Sequence, residues 1–260
     1  MNNTTSYVVI NSKYRTRDSR STSDFTYNIG STLEVDGVTI KSVSIPFTQY
    51  NVNAYNSTLR VNNGGTSYDL AVTQGQYTAT DLATHLVSLI QGAIGGVVTI
   101  AVNPTTKKID FTSTTPFRFS TSKTLSSLVK YLGINYGTGF YPTTASSAFS
   151  AQNVPELQGS NNFYLASNVL SQGFASILTN GIRVPIVMPV PIDVEWGQVQ
   201  QYESNDVELN TKRFARLQNL QNIDIKLYDD DLNIVDLNGS DIEVVIQIKM
   251  KSTQPEQINR

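Results

Sequence analysis

NIDIKLYDDDLNIVDLNGSDIEVVIQIKM, residues 222–250, is the stretch whose reading decides the fold. Ile223, Ile225 and Leu227 alternate with Asp224, Lys226 and Tyr228. After a turn-rich connection over Asp229–Ser240, Ile242, Val244, Ile246 and Ile248 alternate with Glu243, Val245, Gln247 and Lys249. Strict two-residue alternation is the signature of strands with one face buried and one wet. The pair therefore predicts two antiparallel strands joined by that connection.

Working outward, the segments on either side of the middle also read as β. Phe25, Tyr27 and Ile29 alternate, and Val38, Ile40, Val43 and Ile45 lead to Pro46. Val35-Asp36-Gly37-Val38 offers a turn between those runs. Phe163–Leu170, Ile182–Val187, Val190–Val194 and Val199–Tyr202 are further strand candidates, with Pro185, Pro189 and Pro191 restricting which can be central. The middle differs. Ser57–Val61 and Tyr68–Val72 flank Asn62-Asn63-Gly64-Gly65, a hairpin signal. Leu82, Leu86, Leu89 and Ile90 then form a helical stripe, capped by Thr78 or Thr80 and ended by Gly92. Strands at Val97–Val102 and Lys108–Thr112 follow, with a second helix at Leu125–Leu132. Residues 136–161 have no periodicity and read as a long loop. The prediction is a mainly β chain: a β-sandwich in two parts, 1–55 and 151–260, carrying an α+β insertion domain at 56–150.

Composition narrows the function. The 260 residues contain no cysteine and one histidine, His85, which excludes thiolate ligation, disulfides and a cysteine nucleophile. Only 15% of residues are charged and the net charge is −2, so the whole chain is no electrostatic clamp for a polyanion. Ser, Thr and Asn number 26, 28 and 23, a mixture suited to strands and turns. No apolar run approaches the ~20 residues that span a bilayer. The start carries only the short apolar run Tyr7–Ile10, which does not read as a signal peptide and suggests synthesis in a cytosol-like compartment.

Sites with chemical potential each have a plainer reading. His85 has no second histidine and no nucleophile motif beside it, and reads as a surface or interface residue. Asp229-Asp230-Asp231-Leu232-Asn233 begins like a calcium loop, but Ile234 stands where glycine is needed and Ser240 where the bidentate Glu is needed; it reads as a solvated loop. Asp193 and Glu195, on one strand, would share a face as a glycosidase pair could, or simply be two acids on a wet sheet. No Walker, G-x-S-x-G or H-E-x-x-H motif is present. No cofactor or metal is implied, and the chain does not read as an enzyme. Lys13, Arg15, Arg17 and Arg20, against Asp18, form a basic arm, either solvated or facing nucleic acid.

Several segments together resemble the minor capsid, or penton, proteins of virophages and Polinton-like viruses. They are YVVINSKYRT (7–16), SDFTYNIG (23–30), GVTIKSVSIP (37–46), GQYTATDLATHLVSLIQ (75–91), KKIDFTSTTPFRF (107–119) with LVKYLGI (128–134), and 222–250 itself. They occur in the family's order over about half of the chain. Double jelly-roll major capsid proteins carry the same elements in a much longer chain. The resemblance implies a single jelly roll, a homopentamer at the five-fold vertices of an icosahedral shell, and contact with double jelly-roll trimers of a major capsid protein. It further implies location in the virion after synthesis in a host cytoplasm, an insertion that projects outward, and no catalytic residues. Weak contact of the basic arm with packaged DNA fits that picture. The alternative is a carbohydrate-binding or host-attachment β-sandwich, with Tyr136, Phe140, Tyr141 and Trp196 as stacking rings.

Overall fold

The structure, a computed structural model, describes residues 4–171, 177–179, 182–203 and 211–250. Its strands in chain order begin with β1 (Thr4–Asn11), β2 (Asp24–Pro46), β3 (Thr58–Asn63) and β4 (Thr66–Ala71). The helix α1 (Ala79–Ile94) follows, then β5 (Val98–Val102), β6 (Ile109–Ser120) and β7 (Phe140–Ser150). Next are β8 (Asn162–Ala166), β9 (Ile177–Thr179), β10 (Ile182–Val184) and β11 (Ile186–Pro191). β12 (Val199–Glu203), β13 (Thr211–Tyr228) and β14 (Glu243–Met250) complete the order. The chain divides into two compact units, Met1–Gln49 with Ser160–Arg260, and Tyr50–Gly159.

The first unit is a single jelly roll, because two long strands each serve both of its sheets. The later half of β2 (35–46) lies between β14 on one edge and, on the other, β12 followed by the start of β13. β14 in turn pairs with β1 along its whole length. The early half of β2 (24–28) pairs instead with the end of β13 (222–226), which pairs with β8, and β8 with β11. The sheets are thus β1–β14–β2–β12/β13 and β2–β13–β8–β11, all antiparallel, the alternation of a jelly roll. Where β2 passes from one sheet to the other its register with β13 shifts, and Gly30 there has φ +88°, which a residue without Cβ adopts at little cost. Ile223, Ile225, Leu227, Val244, Ile246 and Ile248 are all fully buried in one core with Phe25, Ile40, Phe163 and Val190, so the dry face expected from alternation is the inner face of the sandwich.

Val35-Asp36-Gly37-Val38 forms no turn; it lies inside the 23-residue β2. Gly37 is there for proximity. A Cβ on it would stand 2.9 Å from the Lys212 carbonyl oxygen of the adjacent strand.

The second unit is a five-stranded antiparallel sheet in the order β4–β3–β6–β5, with β7 also on β6. α1 covers it with Leu82, Ala83, Leu86, Ile90 and Ile94. Thr78 caps the helix, its hydroxyl oxygen accepting from the Asp81 N–H at 3.2 Å. The helix runs past Gly92 to Gly95, whose φ of +70° makes the left-handed cap; position 92 needs only a helical backbone, which glycine also supplies. The helix expected at Leu125–Leu132 is one 3-10 turn, Ser127–Lys130, before Gly133 at φ +84°. The loop expected over 136–161 contains β7. That strand is an edge with half-exposed side chains, so it has no dry face to impose periodicity. Phe149 anchors it, stacked on Phe111 at 5.0 Å and edge-on to Phe117 at 5.2 Å.

Both ends of the second unit are tied together. The Asn51 amide donates to the carbonyls of Tyr77 (2.7 Å) and Leu157 (2.8 Å), and its oxygen accepts from the Tyr77 N–H (2.9 Å). Within the jelly roll, the Ser160 hydroxyl donates to the Gln49 side-chain oxygen at 3.1 Å.

Candidate functional site

The basic segment is built on the end of β1. Ser12 is buried; its hydroxyl donates to Asp241 at 2.7 Å and accepts from the Ile242 N–H at 3.0 Å, pinning the chain as it leaves the sheet. Asn11 accepts from the Lys13 N–H, which starts a 3-10 turn. The Thr16 N–H donates to the Thr26 carbonyl and the Arg20 N–H to the Asp24 carbonyl, so 12–23 is a loop folded onto the jelly roll. Arg15 lies 3.7 Å from Asp241 and Arg20 3.7 Å from Asp24, ion pairs that solvent makes weak. Lys13 and Arg17 are exposed and, among the described residues, make no ion pair.

The acidic candidates resolve into structural staples. Asp229 is buried and accepts from the N–H groups of Asp231 (3.0 Å) and Asn233 (2.8 Å). Burial raises its pKa against those hydrogen bonds. Asp230 accepts from the Asn161 N–H at 2.6 Å. The loop expected to be solvated is therefore closed by its own carboxylates. Asp224 accepts from the N–H groups of Asn168 and Val169 (both 2.9 Å), the Asn168 amide (2.7 Å) and the Ser167 hydroxyl (3.0 Å). Burial acts to raise its pKa, but the four donors outweigh burial and lower it. Sequence reading missed this role because Asp224 occupies an ordinary polar position in an alternating strand.

Asp193 and Glu195 do not share a strand. β11 ends at Pro191 and the two acids lie in the turn before β12, where the backbone has left the sheet. His85 sits half-buried on α1 with its ring 5.7 Å from that of Tyr77; its Nε2 is enclosed and has no hydrogen-bond partner among the described residues. Of the candidate stacking rings, Tyr136 donates its hydroxyl to the Ser127 carbonyl and Tyr141 to the Ser150 carbonyl, both at 2.7 Å. Arg118 covers the Phe140 ring at 4.2 Å. Trp196 belongs to the other unit.

The fold thus defines the class: a single jelly roll whose connection between β2 and β8 carries a complete second unit. No family model matches the chain, and no curated protein does. Among solved structures, the mavirus penton protein is similar, with 11% identity over 95% of this chain and 100% of that one and a TM-score of 0.46. The jelly-roll assignment stands on the strand order itself.

Proposed function

We propose that the protein is a structural capsid protein, a homopentamer that occupies the five-fold vertices of an icosahedral virus shell and contacts double jelly-roll trimers of a major capsid protein. The observation that carries this reading is the jelly roll built from two strands that each cross both sheets, a scaffold used for capsid and lectin domains alike. Capsid is favoured over lectin by three of the four candidate rings, since Tyr136, Phe140 and Tyr141 are engaged by their own unit while Trp196 is exposed. The resemblance of the segments at 7–16, 23–30, 37–46, 75–91, 107–119, 128–134 and 222–250 to penton proteins supports the same reading. Its mechanism is geometric. A rigid sandwich presents the same two surfaces in every copy, and a head-to-tail contact whose rotation is one fifth of a circle closes into a ring. On this reading the chain catalyses nothing, resides in the virion after synthesis in host cytoplasm, and can make a weak contact with packaged DNA through the exposed Lys13 and Arg17, with Arg15 and Arg20. Light scattering after gel filtration tests it. A pentamer is expected, and a strict monomer at high concentration that never joins capsids would overturn it.

A further inference from the structure

We infer that the free edge of β1 takes the free edge of β12 from a second copy of this chain, continuing one antiparallel sheet from copy to copy. This deepens the oligomer proposed above and rests on it.

The edges of the jelly roll are treated unequally. β11, the outer strand of one sheet, carries Pro189 and Pro191, which lack the N–H a new strand would need, and its register breaks between Ile186 and Met188. Such devices keep an edge from pairing. β1, the outer strand of the other sheet, pairs among the described residues only with β14 and has no such device. Its eight residues, Thr4-Thr5-Ser6-Tyr7-Val8-Val9-Ile10-Asn11, pair with β14 without a register shift and contain no proline, glycine or charge. About half of its backbone N–H and C=O groups point away from β14. It also shows water two large apolar side chains, Tyr7 (63% exposed) and Val9 (51% exposed). An uninterrupted, uncharged edge of this kind is a template for another strand.

The same sheet ends, on its far side, at β12 followed by the start of β13, and β12 pairs among the described residues only with β2. β1 and β2 are both antiparallel to β14, and β12 is antiparallel to β2. β1 and β12 therefore run in opposite senses. A second copy in the same orientation brings its β12 antiparallel to β1, so the alternation of the sheet is unbroken. The faces also agree. Val8 and Ile10 turn toward the core on β1, as Gln200 and Tyr202 do on β12. Tyr7 and Val9 then share the outer face with Val199 (48% exposed) and Gln201. Cross-strand aromatic and β-branched neighbours of this kind are favourable. Because the contact joins two different edges it is head-to-tail, the type that ring closure requires.

The absence of native cysteine makes the test direct. Tyr7→Cys or Val9→Cys protein is mixed with Val199→Cys or Gln201→Cys protein and oxidised gently. At least one mixture is expected to give a disulfide-linked dimer that neither variant gives alone. Val9→Lys, at an exposed position that leaves the fold intact by circular dichroism, is expected to raise the half-assembly concentration about tenfold or more. A dimer from Val9→Cys alone would replace this contact by a symmetric β1–β1 pair. An assembly that survives Val9→Lys and never cross-links would overturn the edge contact while leaving the oligomer standing. A wild-type monomer at every concentration would overturn both.

Discussion

The two units solve the same problem, burying one face of an antiparallel sheet, with different materials. The jelly roll covers sheet with sheet, and its core is mostly aliphatic: Ile10, Ile40, Ile225, Ile246 and their neighbours. The inserted unit covers sheet with a single helix, and its centre is aromatic, with Phe111, Phe117 and Phe119 fully buried and Phe149 against all three. Their contacts differ in range as well. β3 and β4 are joined by a tight turn, whereas Thr4 pairs with Met250 across almost the whole chain. Local pairing closes small loops and is fast; distant pairing must first meet the entropy of a large loop. The lesson is that one chain holds a locally assembled unit inside a globally assembled one.

The largest expected effect that tests this contrast comes from Phe117→Ala. It empties an aromatic site with partners on β6 and β7 and should cost about 3–5 kcal/mol. Hydrogen exchange should show lost protection within Tyr50–Gly159 and little change in β14; equal loss in both units would mean that they unfold as one. A middle-sized effect is expected from Asn51→Ala. It leaves the Tyr77 N–H and the Tyr77 and Leu157 carbonyls without their partner, and should cost about 2 kcal/mol by denaturant titration. No loss of stability would show that the ends of the unit are held by packing alone.

The smallest effect sharpens the jelly-roll side. The folded-state pKa of Asp224 is lowered by its four donors, so its contribution is present above the unfolded value of about 3.9 and is lost as pH falls through the folded value. Asp224→Asn should cost about 1–2 kcal/mol at neutral pH and flatten the acid limb of a stability-versus-pH curve. Asp229, with its pKa raised chiefly by burial, runs the other way: it favours the folded state below the usual carboxylate range and loses that advantage as pH rises. A wild-type acid limb unchanged by the substitution would show that other groups set it.

How far the sequence could be read follows from the same physics. Strands 222–228 and 242–248 are legible because one of their faces is dry. The core stripe of α1 is legible because Leu82, Leu86 and Ile90 must all meet one sheet. β7 is not, since an edge with two damp faces leaves no periodic trace. Nor is Gly37 legible: its constraint is the Lys212 carbonyl, more than 170 positions away in the chain but adjacent in the sheet. The same holds for the candidate site. The positive charge of Lys13–Arg20 is visible in a string of letters, but the Ser12–Asp241 pin that folds those residues down is not.

The Asn51 clasp has a consequence for how such a chain can change over evolutionary time. With Asn51 against Leu157, and Gln49 against Ser160 just outside, the long excursion between β2 and β8 leaves and returns at nearly one point. For the sandwich it is equivalent to a short hairpin. Lineages could lengthen, trim or exchange the cassette between these residues while the jelly-roll part of the gene drifts on its own schedule, much as a tool head is swapped on an unchanged handle.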